Sequence, residues 1–307
     1  MHSVQPMIKK IAQLTGHEAS IFALCTDGQD NHFLSGAGDG WIVRWNLNDP
    51  EMGRLIAKVE TQIFSLLSLP ERQQLVVGNM NGGVHWITLN HPDKTKNIAH
   101  HQKGTFGICR VGPKVFTIGG GGTLTKWDIE AARSEESLQL SNQSLRAIDF
   151  CPERNELAVG SSDNGIYLVN ATTLALKKVL PQAHENSVFA VRYSPDGNYL
   201  LSGSRDAHLK AWSLDEDYQC ISSQPAHWFT INDIQYHPQG HCFATGSRDK
   251  TIKIWDSRSF ELLKVIETVR DQGHINSVNC LHWSAYHNQL ISGGDDRSMI
   301  VWRLGDD

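Results

Sequence analysis

The chain has no window approaching the roughly 18 consecutive apolar residues of a membrane-spanning helix. Its amino terminus, MHSVQPMIKKIAQL, holds no apolar run resembling a signal h-region. A membrane anchor or secretory route is therefore not expected, and the reading is a soluble, cytoplasmic protein. Cysteines are few and scattered: Cys25, Cys109, Cys151, Cys220, Cys242 and Cys280 include no C-x-x-C pair. That pattern fits reduced, buried thiols rather than a disulfide framework. Positive charge is not in excess either. Lys and Arg number 28 against 33 Asp and Glu, a formal net charge of −5, whereas general nucleic-acid binders carry a basic surplus. A local basic patch stays open. No long Ser, Gln or Pro tract occurs, and no sizeable window carries the 3.6-residue helical period. Hydrophobic residues make up 40% of the 307, an ordinary globular composition.

What the sequence does have is a repeat. SGAGDGWIVRW (35–45), SGSRDAHLKAW (202–212), TGSRDKTIKIW (245–255) and SGGDDRSMIVW (292–302) each open with Ser or Thr followed by Gly. Each places Asp four residues on and Trp at the end. TIGGGGTLTKW (117–127) fits with Gly121 where Asp belongs. VGNMNGGVHWI (77–87) and VGSSDNGIYLV (159–169) are degenerate copies. The copies end at 45, 87, 127, 169, 212, 255 and 302, with spacings of 42, 40, 42, 43, 43 and 47 residues. Such a period marks a repeat architecture. Each copy reads as strands: 188–193 and 199–202 are apolar and β-prone about the turn Ser194-Pro195-Asp196-Gly197. The strand LKAW follows the turn Arg205-Asp206-Ala207-His208, and a fourth strand is expected near 217–223.

With Gly16-His17, Gly273-His274, Trp127-Asp128 and Trp255-Asp256 at the same phase, the chain resembles the WD-repeat family. The resemblance implies an all-β fold: a seven-bladed β-propeller of four-stranded antiparallel sheets, in one domain over 1–307. The repeats fall approximately at 15–57, 58–97, 98–138, 139–180, 181–224, 225–271 and 272–304, the last joined by 5–14. The last copy ends at Trp302, so it lacks its own fourth strand. Met7 to Leu14 precede the first Gly-His and are expected to supply it, closing the ring and removing exposed edges.

The resemblance also brings four polar positions together in each complete copy. They are His17, Ser35, Asp39, Trp45; His184, Ser202, Asp206, Trp212; His227, Thr245, Asp249, Trp255; and His274, Ser292, Asp296, Trp302. Indole donates to hydroxyl, hydroxyl to imidazole, and imidazole to carboxylate. Four equivalent Ser/Thr-His-Asp sets around one ring read as structure, not as four hydrolase sites. The second copy has Val59, Val77 and Ile87 in place of His, hydroxyl and Trp, and the fourth has Ser141, Val159 and Val169. A buried network is tolerable when complete or absent. The third keeps His101, Thr117 and Trp127 without the Asp, so water or a main-chain group is expected to satisfy His101. Gly119 to Gly122 precede a strand rather than a helix and form no phosphate loop, and His100-His101 lack metal partners at ligand spacing. No cofactor, metal or catalytic residue is expected.

Partner sites are sought where the copies differ. In the family, the face with the Gly-His loops and Asp turns receives peptides. The fifth residue after the His slot gives Phe22, Phe64, Phe106, Arg146, Phe189, Asn232 and Asn279. In similar peptide readers aromatics here sandwich a ligand side chain; the alternative is packing between blades. The residue before the Asp slot adds Met80, Arg205 and Arg248. Arg146, Arg205 and Arg248 read either as a basic arc or as solvated charges. The expectation is an aromatic half and a basic half around one mouth, with Trp41, Trp228 and the long loop Thr268–Gly273 near the rim. The function expected is a non-catalytic scaffold or adaptor, monomeric by itself, binding a protein or peptide of unknown identity on this top face. Two rivals stay open: phosphate or nucleic-acid recognition through the arginines, and an enzyme with carboxylates or metal ligands converging in the channel.

Overall fold

In the computed structural model, which describes residues 8–305, 28 strands form seven four-stranded antiparallel sheets. Six sheets take their strands in sequence order, as in Val188–Tyr193, Tyr199–Ser204, His208–Ser213 and Gln219–Pro225. The first strands touch one another in succession, and Val278–Ser284 of the last blade meets Ile21–Thr26 of the first, so the array is a closed ring. The chain is a seven-bladed β-propeller.

Closure follows the expected route. Ile8–Leu14 pairs antiparallel with Met299–Leu304, Leu14 opposite Met299 and Lys9 opposite Arg303. That strand completes the sheet of Val278–Ser284, Gln289–Gly294 and Met299–Leu304. Met7 and residues 5 and 6, also assigned to this strand, lie outside the described residues.

Each interface between blades is a sandwich of apolar side chains over small residues. A Cβ on Gly36 would stand 2.7 Å from Ile63 Cγ2, and one on Gly293 would stand 2.8 Å from Ile21 Cγ2. Close approaches of the same kind recur at Gly160 against Val188, Gly203 against Ile231 and Gly246 against Val278. The Gly at the second position of each of these copies therefore seats the next blade. Blade 3 has Ile118 there; the close approach to the next blade comes instead at Gly107, whose Cβ would meet Ile148 Cγ2 of blade 4 at 3.0 Å. The apolar residues so seated, such as Ile21, Ile63, Val188 and Val278, are fully buried.

Those seated residues share a second feature. In every blade the first strand bulges just after it: pairing jumps from Ile21 to Ala23, Ile63 to Ser65, Thr105 to Gly107, Leu145 to Ala147, Val188 to Ala190, Ile231 to Asp233 and Val278 to Cys280. The skipped residues are Phe22, Phe64, Phe106, Arg146, Phe189, Asn232 and Asn279. A bulge leaves one residue out of the ladder and re-aims its side chain. It gives the variable series of the sequence a common position on the innermost strands.

Candidate functional site

The four complete tetrads are formed as expected. In blade 6, Trp255 Nε1 donates to Thr245 Oγ1 at 2.9 Å, His227 Nε2 meets the same oxygen at 2.7 Å, and His227 Nδ1 meets Asp249 Oδ2 at 2.9 Å. The sets at His17, His184 and His274 repeat this, with imidazole–carboxylate distances of 2.9, 3.0 and 2.8 Å. The hydroxyl of each set is completely buried and already engaged by indole and imidazole. It is not presented as a nucleophile. Each carboxylate also accepts the main-chain N–H that follows the His, as Trp228 N does to Asp249 Oδ2 at 3.0 Å. Burial pushes the Asp249 carboxyl up, but the bonds from His227, Thr251 and Trp228 outweigh it and hold it well below the usual range. Burial holds His227 and His184 below the ordinary imidazole value, and the partner carboxylates offset only part of that.

The degenerate blades are rewired rather than emptied. In blade 2, Asn79 Nδ2 donates to Glu60 Oε1 at 2.6 Å and meets His85 Nε2 at 2.9 Å, while its Oδ1 accepts Gly83 N at 2.8 Å. His85 Nδ1 reaches Asn97 at 2.8 Å. In blade 4, Asp163 keeps the carboxylate slot and takes bonds from Ser141 Oγ at 2.5 Å and Tyr167 Oη at 2.6 Å. In blade 3, His101 Nε2 meets Thr117 Oγ1 at 2.7 Å. Among the described residues, no main-chain or side-chain group bonds its Nδ1. Burial and the neighbouring His100 push the His101 pKa down to about 3.

The bulged residues meet at the channel mouth. Phe22 and Phe64 contact edge to face with centroids 5.2 Å apart, and Phe64 and Phe106 lie 5.3 Å apart. The Arg146 guanidinium carbon sits 4.6 Å from the Phe106 ring centre and 5.2 Å from that of Phe189. Arg146 is thus threaded between aromatic rings, not set apart in a basic half; its Nε donates to Ser162 Oγ at 2.9 Å. The four Phe side chains are half-buried. The rings pack on one another across blades and keep a partly open face. Asn232 and Asn279 are used by the scaffold: their amides donate to Val278 O at 2.8 Å and Ile21 O at 3.1 Å. A cavity of about 330 Å³ opens between Phe22, Phe189, Arg205, Asn232, Arg248 and Asn279. Larger clefts, about 580 and 590 Å³, are lined by turn segments around Pro70 and Gln73, and around Pro195 and Gln239.

The remaining candidates divide. Arg205 and Arg248 are exposed, and among the described residues neither has an ion-pair partner. Met80 is half exposed at the turn of blade 2, and Trp228 is 85% exposed after His227. Trp41 follows the Asp39 turn of blade 1. It opens a third strand, packs on the core cluster around Leu14 and Trp45, and carries Lys58 Nζ 4.6 Å above its ring. The loop Thr268–Gly273 begins as a short helix, Thr268–Asp271, and Lys10 Nζ donates to Gln272 O at 2.8 Å.

Carboxylates do converge in the channel, which spacing alone did not reveal. Arg192 NH1 meets Asp149 Oδ1 at 3.0 Å and NH2 lies 3.9 Å from Asp233 Oδ1. Asp149 Oδ2 accepts Tyr193 N at 2.7 Å and Asp233 Oδ2 accepts Leu281 N at 2.8 Å. Burial raises both carboxyl pKa values, with Arg192 offsetting part of the rise. Asp149 uses both oxygens, and Asp233 its Oδ2, toward neighbouring strands, while Asp233 Oδ1 accepts Ile234 N of its own strand at 2.8 Å, so the trio links blades 4 to 7. No cluster of three or more His, Cys, Asp or Glu suited to a metal occurs among the described residues. The six cysteines are free thiols, and no described helix is long and apolar enough to cross a membrane.

Comparison with known proteins agrees with this architecture. The family described as "WD domain, G-beta repeat" matches residues 8–46, 175–213, 218–256 and 264–303, more than half of the chain. Echinoderm microtubule-associated protein-like 3 of Homo sapiens is 29% identical over 217 residues, 67% of this chain and 23% of that protein. The chain thus spans about a quarter of the length of such relatives. Guanine nucleotide-binding protein subunit beta-1 of Nicotiana tabacum is 21% identical, covering 95% of this chain and 82% of that one. The crystal structure of the WD40 β-propeller domain of Doa1 superposes with a TM-score of 0.85 at 17% identity, covering 98% of both chains. The four repeat matches, the seven sheets and the four His–Ser/Thr–Asp–Trp sets place the chain in the WD-repeat family.

Proposed function

We propose that the chain is a non-catalytic interaction scaffold that binds a protein or peptide at the channel mouth on the face bearing the Gly-His loops. The observation that carries this is the run Phe22–Phe64–Phe106–Arg146–Phe189, in which five successive bulges aim large side chains at one opening. Aromatic and Arg side chains grouped beside a concave opening are the usual anchors of an interface. The scaffold reading over catalysis rests on the consumption of every tetrad hydroxyl and of both channel carboxylates by structural bonds. Free thiols and the absence of a spanning helix among the described residues support a cytoplasmic setting. The relatives' names point to assemblies built around microtubules and guanine nucleotide-binding proteins, but they do not choose a partner for this chain.

The test is affinity capture with the wild type and a Phe64→Ala, Phe106→Ala double variant. A partner retained by the wild type and lost by a variant of unchanged melting temperature supports the mouth. Equal recovery by both rejects it.

A further inference from the structure

Outside the mouth, the top of blades 5 to 7 exposes large apolar side chains beside unpaired cations. Trp228 and Phe229 are 85% and 58% exposed, and Ile275, which follows His274 as Trp228 follows His227, is 62% exposed. A soluble surface carries isolated apolar residues freely, but adjacent bulky ones mark a contact surface. Main-chain bonds fix their neighbours. Trp228 N bonds Asp249, Ser247 Oγ donates to Phe229 O at 3.3 Å, and Arg248 N donates to Thr230 O at 3.0 Å. The turn bearing Arg248 and Lys250 therefore lies against the loop bearing Trp228 and Phe229. In blade 7, Ile275 N bonds Asp296, which places Ile275 beside the turn that carries Arg297.

Two features single these cations out. First, the adjacent carboxylates, Asp249 and Asp296, are committed to His227 and His274. Arg205, Arg248, Lys250 and Arg297 have no ion-pair partner among the described residues, in a chain whose net charge is −5. Second, Lys250 (φ 76°) and Arg297 (φ 63°) occupy a left-handed turn position that blades 1 to 3 give to Gly40, Gly82 and Gly122, blade 4 to Asn164 and blade 5 to Ala207. A side chain there costs backbone strain, and strain tends to collect at working surfaces. Blades 6 and 7 thus hold positive charge where glycine would be more stable.

We propose that this rim docks an acidic protein segment bearing a bulky apolar side chain, with Trp228 and Phe229 as the apolar seat and Arg205, Arg248, Lys250 and Arg297 as its cationic surround. The inference rests on the top-face reading above and names the chemistry of the partner. Acidic side chains beside an apolar anchor match both halves of the surface. A nucleic acid fits less well. Ile275 offers no ring for a base to stack on.

The test pans a phage-displayed library of random dodecapeptides against the full chain and measures the enriched peptides by fluorescence anisotropy. Expected sequences place Asp or Glu beside Trp, Phe or Leu. Their affinity should fall about tenfold or more in Trp228→Ala and in an Arg248→Glu, Lys250→Glu pair, and should weaken as salt rises. Lys250→Gly should weaken binding while raising the melting temperature, a combination that a purely structural lysine would not give. Peptides with no acidic bias that lose binding only in the Phe64→Ala, Phe106→Ala variant would overturn the rim proposal and leave the mouth standing. Acidic peptides indifferent to the rim substitutions would overturn it as well. Failure to enrich any peptide would count against both. Displacement of a bound peptide by a short single-stranded RNA at least as strongly as by free acidic peptide would replace the proposal with nucleic-acid recognition.

Discussion

Blades 1, 5, 6 and 7 solve the polar problem of a packed sheet in one way, and blades 2, 3 and 4 each solve it in another. In the first group a buried Trp, a hydroxyl, an imidazole and a carboxylate satisfy one another in a fixed order. Blade 2 moves the network outward, to Asn79, Glu60, His85 and Asn97, and blade 4 keeps the carboxylate but feeds it from Ser141 and Tyr167. Blade 3 keeps three members and drops the fourth. The propeller therefore accommodates several polar arrangements at its loop junctions and does not depend on one set of residues.

The largest break in this comparison comes from Asp249→Ala. It leaves His227 buried with only the Thr251 hydroxyl, 3.1 Å away, at Nδ1, and frees the N–H of Trp228. Breaking a buried, charge-assisted network costs about 2–4 kcal/mol. A denaturant midpoint shifted by that amount at unchanged slope is expected; a shift below about 0.5 kcal/mol, the ordinary surface-substitution range, would sink the idea that the tetrads carry stability.

Blade 2 offers the next test. Asn79→Ala removes an amide that joins Glu60 and His85 and receives the N–H groups of Gly83 and Asn81. The site is wetter at its Glu60 end, so the expected loss is smaller, about 1–2 kcal/mol. Urea unfolding of the two variants side by side ranks the networks. Asn79→Ala costing as much as Asp249→Ala would show that the rewired blade is no weaker than the complete ones.

The tetrads and the ring closure were legible in the sequence because the repeat spacing marks their positions and the family resemblance implies that the tetrad residues meet. Equal intervals carry His, Ser/Thr, Asp and Trp, and the strand missing after Trp302 has one unclaimed candidate upstream of Gly16. The rewired network was not legible, since Asn79, Glu60, His85 and Asn97 stand outside the repeating slots and each residue type is unremarkable alone. Nor was the Asp149–Arg192–Asp233 trio, whose members come from three blades at two different positions along the strand. The mouth series was legible as positions, but the bulge that aims it has no residue signature. Lys250 and Arg297 did carry a signal: aligning Gly40, Gly82 and Gly122 exposes a slot that wants glycine and in two blades holds a cation.

The smallest and sharpest effect should come from completing blade 3. Gly121 sits where Asp39 does, its φ lies outside the left-handed region, and a Cβ there would meet nothing nearer than Gln102 Cβ at 3.4 Å. Gly121→Asp therefore fits without strain and brings a carboxylate toward His101 Nδ1. At pH 7 the new bond and the loss of glycine freedom in the unfolded chain should add about 1 kcal/mol. The pH dependence separates this from a generic gain. His101 in the wild type titrates near 3, far below an unfolded imidazole at about 6.5. The unfolded chain thus binds the proton first, and stability falls as pH drops through that window, by at most about 1.4 kcal/mol per unit for one such group. A carboxylate on Nδ1 favours the imidazolium and raises the folded pKa, so the variant should lose less stability over the same interval. Its advantage should widen between pH 7 and 5, with the His101 ring resonances moving to a higher titration midpoint in NMR. A constant difference across that range, with an unmoved midpoint, would mean that the carboxylate never reaches His101 and that blade 3 is held open by something other than the missing acid.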